Sequence, residues 1–271
     1  MAYAKINSIE IAALAKIGNV AKAGFGKIVG VDVPCVAIDG VSNSKSIAFD
    51  GTNDHMTNAG NLTLDLGTYA LWVKNTGGNG TYGMQTVFYV TGFFSMSLLF
   101  QLGTMHPSVT HPAAGTVNGL GVVDYSDDEW HFVAWTISGG GSGTENTLKL
   151  YSDGVLIKTL VATQTYPSSR VTAPIILGRM ASCCYYTEAN VDEVGIWSSA
   201  LDADAIKQLY NCGAPIDLSS DSGNYNASGD LTHWWRMGDG DTHPTIEDAE
   251  GSYDLTMTNM ASGDIEDEVP S

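Results

Sequence analysis

The sequence predicts an all-β protein: a two-sheet antiparallel jelly-roll sandwich with one short helix, preceded by a short repetitive N-terminal arm. Three observations carry this. Strand-length apolar segments recur from residue 46 onward, each bounded by clusters of Gly, Asn, Asp and Ser. Glycine is abundant at 31 residues and proline scarce at 8, which suits tight turns between strands. One stretch alone, residues 200–211, changes from a two-residue to a helical period.

The arm comes first. Residues 5–37 divide into three eleven-residue units, KINSIEIAALA, KIGNVAKAGFG and KIVGVDVPCVA, opened by Lys5, Lys16 and Lys27. Ile6, Ile17 and Ile28 share a place in the unit, as do Ile9, Val20 and Val31. An amphipathic helix would fit the period, but Gly18, Gly24, Gly26, Gly30 and Pro34 fall where it should continue. Ile9/Ile11 and Val31/Val33 alternate as strands do, so strand-turn units are favoured. A unit this short cannot bury its own apolar face. The six shared Ile and Val positions are therefore the candidate assembly residues.

SIAFD (46–50) then places Ile47 and Phe49 on one face, and TYALWVKN (68–75) separates Tyr69, Leu71 and Val73 from Ala70 and Trp72. TVFYVTGFFSMSLLFQLG (86–103) reads as two strands turning near Thr91 and Gly92. In WHFVAWTIS (130–138), Trp130 and Phe132 oppose His131 and Val133. LKLYSDGVLIKTL (148–160) is a hairpin reversing at Asp153-Gly154. APIILGR (173–179) and NVDEVGIWS (190–198) complete the run. In ALDADAIKQLYN (200–211), Asp202 suits the N-cap, Leu201 and Ile206 a hydrophobic staple, and Asn211 and Gly213 the stop. DLTHWWRMGD (230–239) and YDLTMTNM (253–260) return to β. The expected division is an arm over 1–37, the jelly roll over 38–260 and an acidic tail over 261–271.

Charge excludes some partners. The net charge is −18, with thirteen Asp/Glu against Arg236 in residues 217–271. Such a chain repels phosphate backbones, so nucleic acid is not expected as a partner. The surplus fits solubility, calcium or a salty medium. Cys35, Cys183, Cys184 and Cys212 form no CxxC motif, and free thiols are expected. No apolar run approaches the ~20 residues of a membrane span. Lys16, Lys22 and Lys27 interrupt any signal-peptide core, so the N-terminus is expected to be retained.

The motifs SIAFDGTNDHM (46–56), YALWVKN (69–75), EWHFVAWTIS (129–138), LKLYSDGVLIKTL (148–160) and NVDEVGIWSSALDADAIKQLYN (190–211) occur in that order. In combination they resemble the concanavalin A-like, laminin G-type jelly-roll superfamily over roughly residues 38–260. Residues 231–260 resemble a tail found on laminin G-like proteins from phages and environmental bacteria, and the N-terminal repeat resembles the leading segments of phage structural proteins. The resemblance implies a structural Ca²⁺ near the FDG turn, held here by Asp50, Asn53, Asp54 and Asp192. The DGDTHPTIED stretch (239–248) is a further calcium candidate, without EF-hand spacing. Glucanases of this architecture carry an alternating E-x-D-x-E run. Asp127-Asp128-Glu129 and Asp192-Glu193 are adjacent instead, so catalysis is not expected. The six histidines sit in no nucleophile motif.

Glycan recognition needs aromatics beside hydrogen-bonding groups. Tyr185, Tyr186, Glu188 and Asn190 are the first candidates, and Trp234, Trp235 and Arg236 the second. The expectation is a non-enzymatic virion structural protein, a head decoration or tail component anchored by its arm to other virion proteins. It would form a homo-oligomer, without membrane insertion. The alternatives are a glycan-binding adhesin for host surface polysaccharide and, third, an accessory domain of a secreted enzyme.

Overall fold

The computed structural model describes residues 25–28, 31–34, 37–64, 66–77, 83–90, 94–101, 104–111, 115–139, 147–161, 171–181 and 185–271. The strands begin with β1 (Phe25–Ile28), β2 (Val31–Pro34), β3 (Ser46–Asp50), β4 (His55–Asn58), β5 (Leu62–Leu64), β6 (Gly67–Asn75) and β7 (Met84–Val90). Next come β8 (Phe94–Gln101), β9 (Thr104–His111), β10 (Gly115–Asn118), β11 (Trp130–Ser138), β12 (Thr147–Ser152) and β13 (Val155–Val161). The series continues with β14 (Val171–Ala173), β15 (Ile175–Leu177), β16 (Glu188–Trp197) and the helix α1 (Ala203–Tyr210). It ends with β17 (Leu231–Trp235), β18 (Thr245–Ile246), β19 (Leu255–Thr258) and β20 (Ile265–Glu266).

Two antiparallel sheets build the sandwich. The first has the order β10-β9-β8-β7-β15-β4-β19-β18, and the second β13-β12-β11-β6-β16-β3-β20, with β17 also paired to β16. The predicted alternation decides which side chains meet. Tyr69, Leu71, Val73, Val133 and Trp135 point between the sheets, where Tyr69 stacks on Trp135 with centroids 5.6 Å apart. Ala70, Trp72, Phe132 and Trp197 point the other way and form a second core beneath α1. The helix closes that core with Ile206 and Leu209. Asp202 accepts the Ala205 amide at its N-terminus, and Asn211 ends it in the left-handed region. Asp153 and Gly154 both take positive φ in the β12–β13 turn, as a two-residue hairpin requires.

The outer face of the first sheet has its own pattern. Thr116 pairs with Thr110, Thr110 with Ser95, and Ser95 with Tyr89. Tyr89 faces Ile176, which faces Thr57. Thr57 pairs with Thr256, and Thr256 with Thr245. Their strand neighbours Val109, Val117 and Leu255 are fully buried in the core, so this line projects outward.

The arm is described only in part. β1 and β2 form an antiparallel hairpin in which Ile28 pairs with Val31. Ile6, Ile9, Ile17 and Val20 lie outside the described residues.

Two expectations need correction. Residues 261–271 are not a detached tail: β20 pairs with β3, Asp267 bridges Lys45 and Glu268 bridges Lys74. Cys212 is disulfide-bonded and not a free thiol, while the other three cysteines lie outside the described residues. Part of the acid surplus also has a structural use. Asp217, Asp221, Asp241, Asp254 and Asp264 each accept at least one backbone amide hydrogen in the turns of the C-terminal segment.

Asp248 is the most engaged of these carboxylates. Its Oδ1 accepts the amides of Trp234 and Gly251, both at 3.0 Å. Its Oδ2 accepts His233 Nδ1 at 2.7 Å and the Tyr253 amide at 3.3 Å. Burial pushes its pKa upward, but the His233 bond and the amides outweigh this and hold it below the usual range. Replacing Asp248 by Ala strands these donors and is expected to cost about 3 kcal/mol at pH 7. Urea unfolding of both proteins measures this, and an unchanged midpoint would contradict the assigned role.

Candidate functional site

One rim of the sandwich gathers the end of β3, the turn after it, the end of β6, the start of β7 and the start of β16. The turn is built by its own side chains. Asp50 Oδ1 accepts the amides of Thr52 at 2.8 Å and Asn53 at 3.2 Å, and Asp54 Oδ2 accepts the Asp50 amide at 3.1 Å. Gly51 sits at φ +73°, and a Cβ there would lie 2.9 Å from Cβ of Glu188. Only glycine lets the Glu188 side chain lie against the turn.

Buried polar groups position the β16 end of the rim. The Glu188 amide donates to Gln85 Oε1 at 2.8 Å, and Gln85 Nε2 donates to Asn75 Oδ1 at 3.3 Å. Thr187 Oγ1 donates to the Thr86 carbonyl at 2.8 Å, and the Thr86 amide donates to the Tyr185 carbonyl at 2.9 Å. Tyr185 and Tyr186 are half-buried on this frame, beside Glu188. The sequence reading did not single out Gln85, Thr86, Thr187 or Asn75. They meet through register, which no local motif encodes.

The two predicted sites are redistributed. Asp50 of the calcium set stands directly across from Glu188 of the glycan set. Asp192 lies four residues further along β16, about 13 Å away at strand rise. Asp192 is instead buried, with its oxygens accepting the Glu193 amide and Asn43 Nδ2, each at 2.8 Å. Asp50, Asn53, Asp54 and Asp192 therefore do not converge as the six to eight oxygens of a Ca²⁺ shell must. No group of three metal-ligating His, Cys, Asp or Glu side chains occurs among the described residues. Nor does the 239–248 stretch form an open loop of ligands, because Asp241 caps the Gly238 and Glu247 amides and Asp248 is fully engaged.

Within the glycan set, Tyr185, Tyr186 and Glu188 share the rim. Asn190 is buried and donates to Glu266 of β20 at 3.2 Å. The second glycan candidate is corrected: Trp234 and Trp235 are both buried, one in each core. Trp234 donates through Nε1 to Glu193, which also pairs with Arg236.

Titration separates the rim carboxylates. For Asp50 burial pushes upward, but the amides of Thr52, Asn53 and Asp54 prevail and lower its pKa. Asp54, at 4% exposure, is raised to about 6, by burial first and then by the charges of Asp50 and Asp264. His55 is lowered, by burial and by the Arg179 charge, despite its bond to the Asn53 carbonyl. The rim thus offers an ionised carboxylate at Asp50 and a neutral imidazole at pH 7. Among the cavities, one between Trp72, Phe132, Glu193 and Leu209 measures about 10 Å³, room for about one water.

These features define a jelly-roll sandwich with a polar, aromatic-bearing rim. The chain belongs to the concanavalin A-like lectin/glucanases superfamily, whose laminin G-type family model matches residues 49–207, more than half of its length. Two solved structures show the same fold. One is a native heptameric SAP-like pentraxin from Limulus polyphemus, 14% identical, with 83% of this chain aligned to 100% of that one at a TM-score of 0.53. The other is a protein from Bacteroides ovatus provisionally described as carbohydrate binding, 14% identical, with 90% of this chain aligned to 66% of that one at a TM-score of 0.59. A search of curated protein sequences returned no match.

Asp54 gives the site a pH signature. Its folded pKa near 6 lies above the ordinary carboxyl value of about 3.9. The folded state therefore holds this proton more tightly than the unfolded one. The associated stability is complete below about pH 4 and is lost as pH rises through 6. Asp54→Asn is expected to flatten that part of the curve and to be about 1 kcal/mol more stable than the parent at pH 7. Denaturant midpoints at pH 4, 5, 6 and 7 test this, and parallel curves for the two proteins would refute it.

Proposed function

We propose that this chain is a non-catalytic carbohydrate-binding domain, and that the rim around Tyr185, Tyr186 and Glu188 recognises a surface glycan. The observation that carries this is the pairing of half-buried tyrosines and a carboxylate on a frame of buried hydrogen bonds. Aromatic rings cover the apolar face of a sugar, and fixed acceptors select its hydroxyls. Membership of the superfamily supports the reading, as does the likeness in fold to the Bacteroides protein.

The non-catalytic part rests on the carboxylates. Glycoside hydrolysis needs one carboxyl held protonated by a raised pKa. At the rim the raised carboxyl is Asp54, but it is buried against its own turn with Oδ2 accepting the Asp50 amide, and Asp50 is lowered with Oδ1 committed to two amides. Away from the rim, Asp127 pairs with His131 and Asp128 with Lys74.

The mounting of the domain is a second proposal. The triple repeat in residues 5–37 supports attachment to a larger assembly, and we assign that assembly to a virion with this chain present in several symmetric copies. Removing residues 1–37 is expected to leave a folded domain that no longer oligomerises or incorporates. Light scattering on the purified protein and imaging of particles read this out, and a truncated chain that still assembles sinks the proposal.

Glycan-array binding, with and without added Ca²⁺, tests the domain itself. Tyr185→Ala and Tyr186→Ala are each expected to weaken retained sugars by about tenfold without lowering thermal stability appreciably. An array with no hits in either condition removes the carbohydrate reading.

A further inference from the structure

The two sheets of the sandwich end in four strands, β10, β18, β13 and β20. β10 has four residues and β18 and β20 two each, whereas β13 runs for seven, Val155–Val161. Short edge strands are a common protection against pairing with other chains, and β13 lacks it. Among the described residues its only strand partner is β12, on one side.

The side chains of this edge sharpen the contrast. β13 reads VLIKTLV, five aliphatic residues interrupted by Lys158 and Thr159. Val155, Leu156 and Val161 are 49%, 43% and 49% exposed, while Ile157 and Leu160 pack against the core. The other exposed large apolar side chains among the described residues are Leu120 and Val122, in the turn after β10. β10 packs beside β13. The loop that follows reaches the start of β13, because Tyr125 bonds Ser152 Oγ at 2.7 Å and Ser152 pairs with Val155. The exposed aliphatic surface is therefore gathered around one edge of the fold.

The N-terminal arm joins the domain near this edge. The Ile38 amide donates to Asn211 Oδ1 at 2.8 Å, and Asn211 Nδ2 donates to the Ile38 carbonyl at 3.2 Å. Asn211 ends α1, whose last turn lies against the β12–β13 reversal. A Cβ on Gly154 would meet Cα of Lys207 and Cβ of Tyr210, each at 3.2 Å. β1 and β2 fold back on each other with Phe25 opposite Pro34, so the start of β1 returns to within a few residues of Ile38. The point from which residues 5–24 extend is thus close to the first residue of β13. Those residues can reach about 65 Å when extended. The edge itself is about 23 Å long.

From these observations we infer that β13 is the docking edge for the arm of a neighbouring copy of this chain, which adds to it as an outermost strand drawn from residues 5–24. The inference rests on the reading of the arm as the assembly element and names its acceptor. Strand addition supplies main-chain hydrogen bonds along the free edge, and apolar arm residues cover the aliphatic surface. Ile9 and Ile11 alternate as that requires. A second β13 is a poorer partner, because an antiparallel pair centred on the strand sets Lys158 against Lys158. Charge favours the arm. Residues 5–24 hold Lys5, Lys16 and Lys22 against Glu10, on a chain of net charge −18, so copies that otherwise repel attract through this segment. Each arm is rooted beside an acceptor edge and reaches well beyond its length. Two copies meeting at this corner can therefore exchange arms reciprocally, as in domain swapping.

The test uses three full-length chains: the parent, an edge variant and an arm variant. The edge variant, Val155→Lys, Leu156→Lys, Val161→Lys, changes exposed side chains only and gives β13 the charge that protects natural edges. The arm variant is Ile9→Asp, Ile11→Asp. Each is expected to weaken self-association in sedimentation by about a hundredfold, with the thermal midpoint unchanged. Mixing the two variants is expected to restore a 1:1 complex, because the intact arm of one meets the intact edge of the other. In the parent, β13 amides are expected to exchange hydrogen about tenfold more slowly in the oligomer than in the dilute monomer, a reading that needs no substitution. An edge variant that associates like the parent overturns the inference and leaves the mounting through the arm standing. An arm variant that associates like the parent also overturns it, and assigns the contact to β13 pairing with itself. A mixture that forms no complex, or β13 amides equally protected in the dilute monomer, overturns it in favour of the chain's own arm. A parent that stays monomeric at every concentration overturns the inference together with the proposal of symmetric copies.

Discussion

β16 is the strand on which everything else depends, because it must satisfy three partners with two edges. β6 runs along one edge, while the other is divided between β3, paired with residues 188–191, and β17, paired with residues 194–197. The switch falls at Asp192 and Glu193, where the register against β6 also shifts and Glu193 takes φ +45°. A bulge of this kind places two consecutive side chains on one face. Both carboxylates are consequently buried, and both have raised pKa values for want of water. The surroundings compensate: Asn43 binds Asp192, while Trp234 and Arg236 bind Glu193. Because β3 ends at the rim and β17 opens the C-terminal segment, this junction connects the candidate site to the part of the chain beyond the family match.

Much of the fold was legible because it rests on short-range rules. The alternation in 68–75 and 130–138 separates the side chains by face as the two cores do, and the Asp202 cap and the Asp153-Gly154 turn appear as expected. The strands that escaped notice have weaker local signals. β9 contains Pro107 and two histidines, and β10 is four residues long. β18 and β20 have two residues each and exist only because an edge is available to pair with.

The site was harder to read, for the same reason in reverse. Tyr185, Tyr186 and Glu188 were visible as a local cluster, but the approach of Glu188 to Asp50 is a property of strand register. The same register removes Asp192 from the turn it was expected to join. The paired tryptophans misled because a strand at an edge usually has one wet face. Here the segment around Glu193 and Arg236 covers that face as well. The hydroxyl-rich line on the outer face of the first sheet is spread over eight strands, from Thr57 to Thr256, with one member per strand. No window of sequence contains it.

The return of β20 to β3 has a mechanical consequence. Ser46, which opens the sandwich, is paired with Glu266, at its far end in sequence. Tension applied between residues 45 and 267 would therefore act at one end of a two-residue antiparallel pairing and break its hydrogen bonds in succession, as a zipper opens. Load carried through residue 45 alone is borne by β3, which is held on one edge by β16 and on the other by β20. A domain of this topology is weak as a link within a taut chain and strong as a pendant.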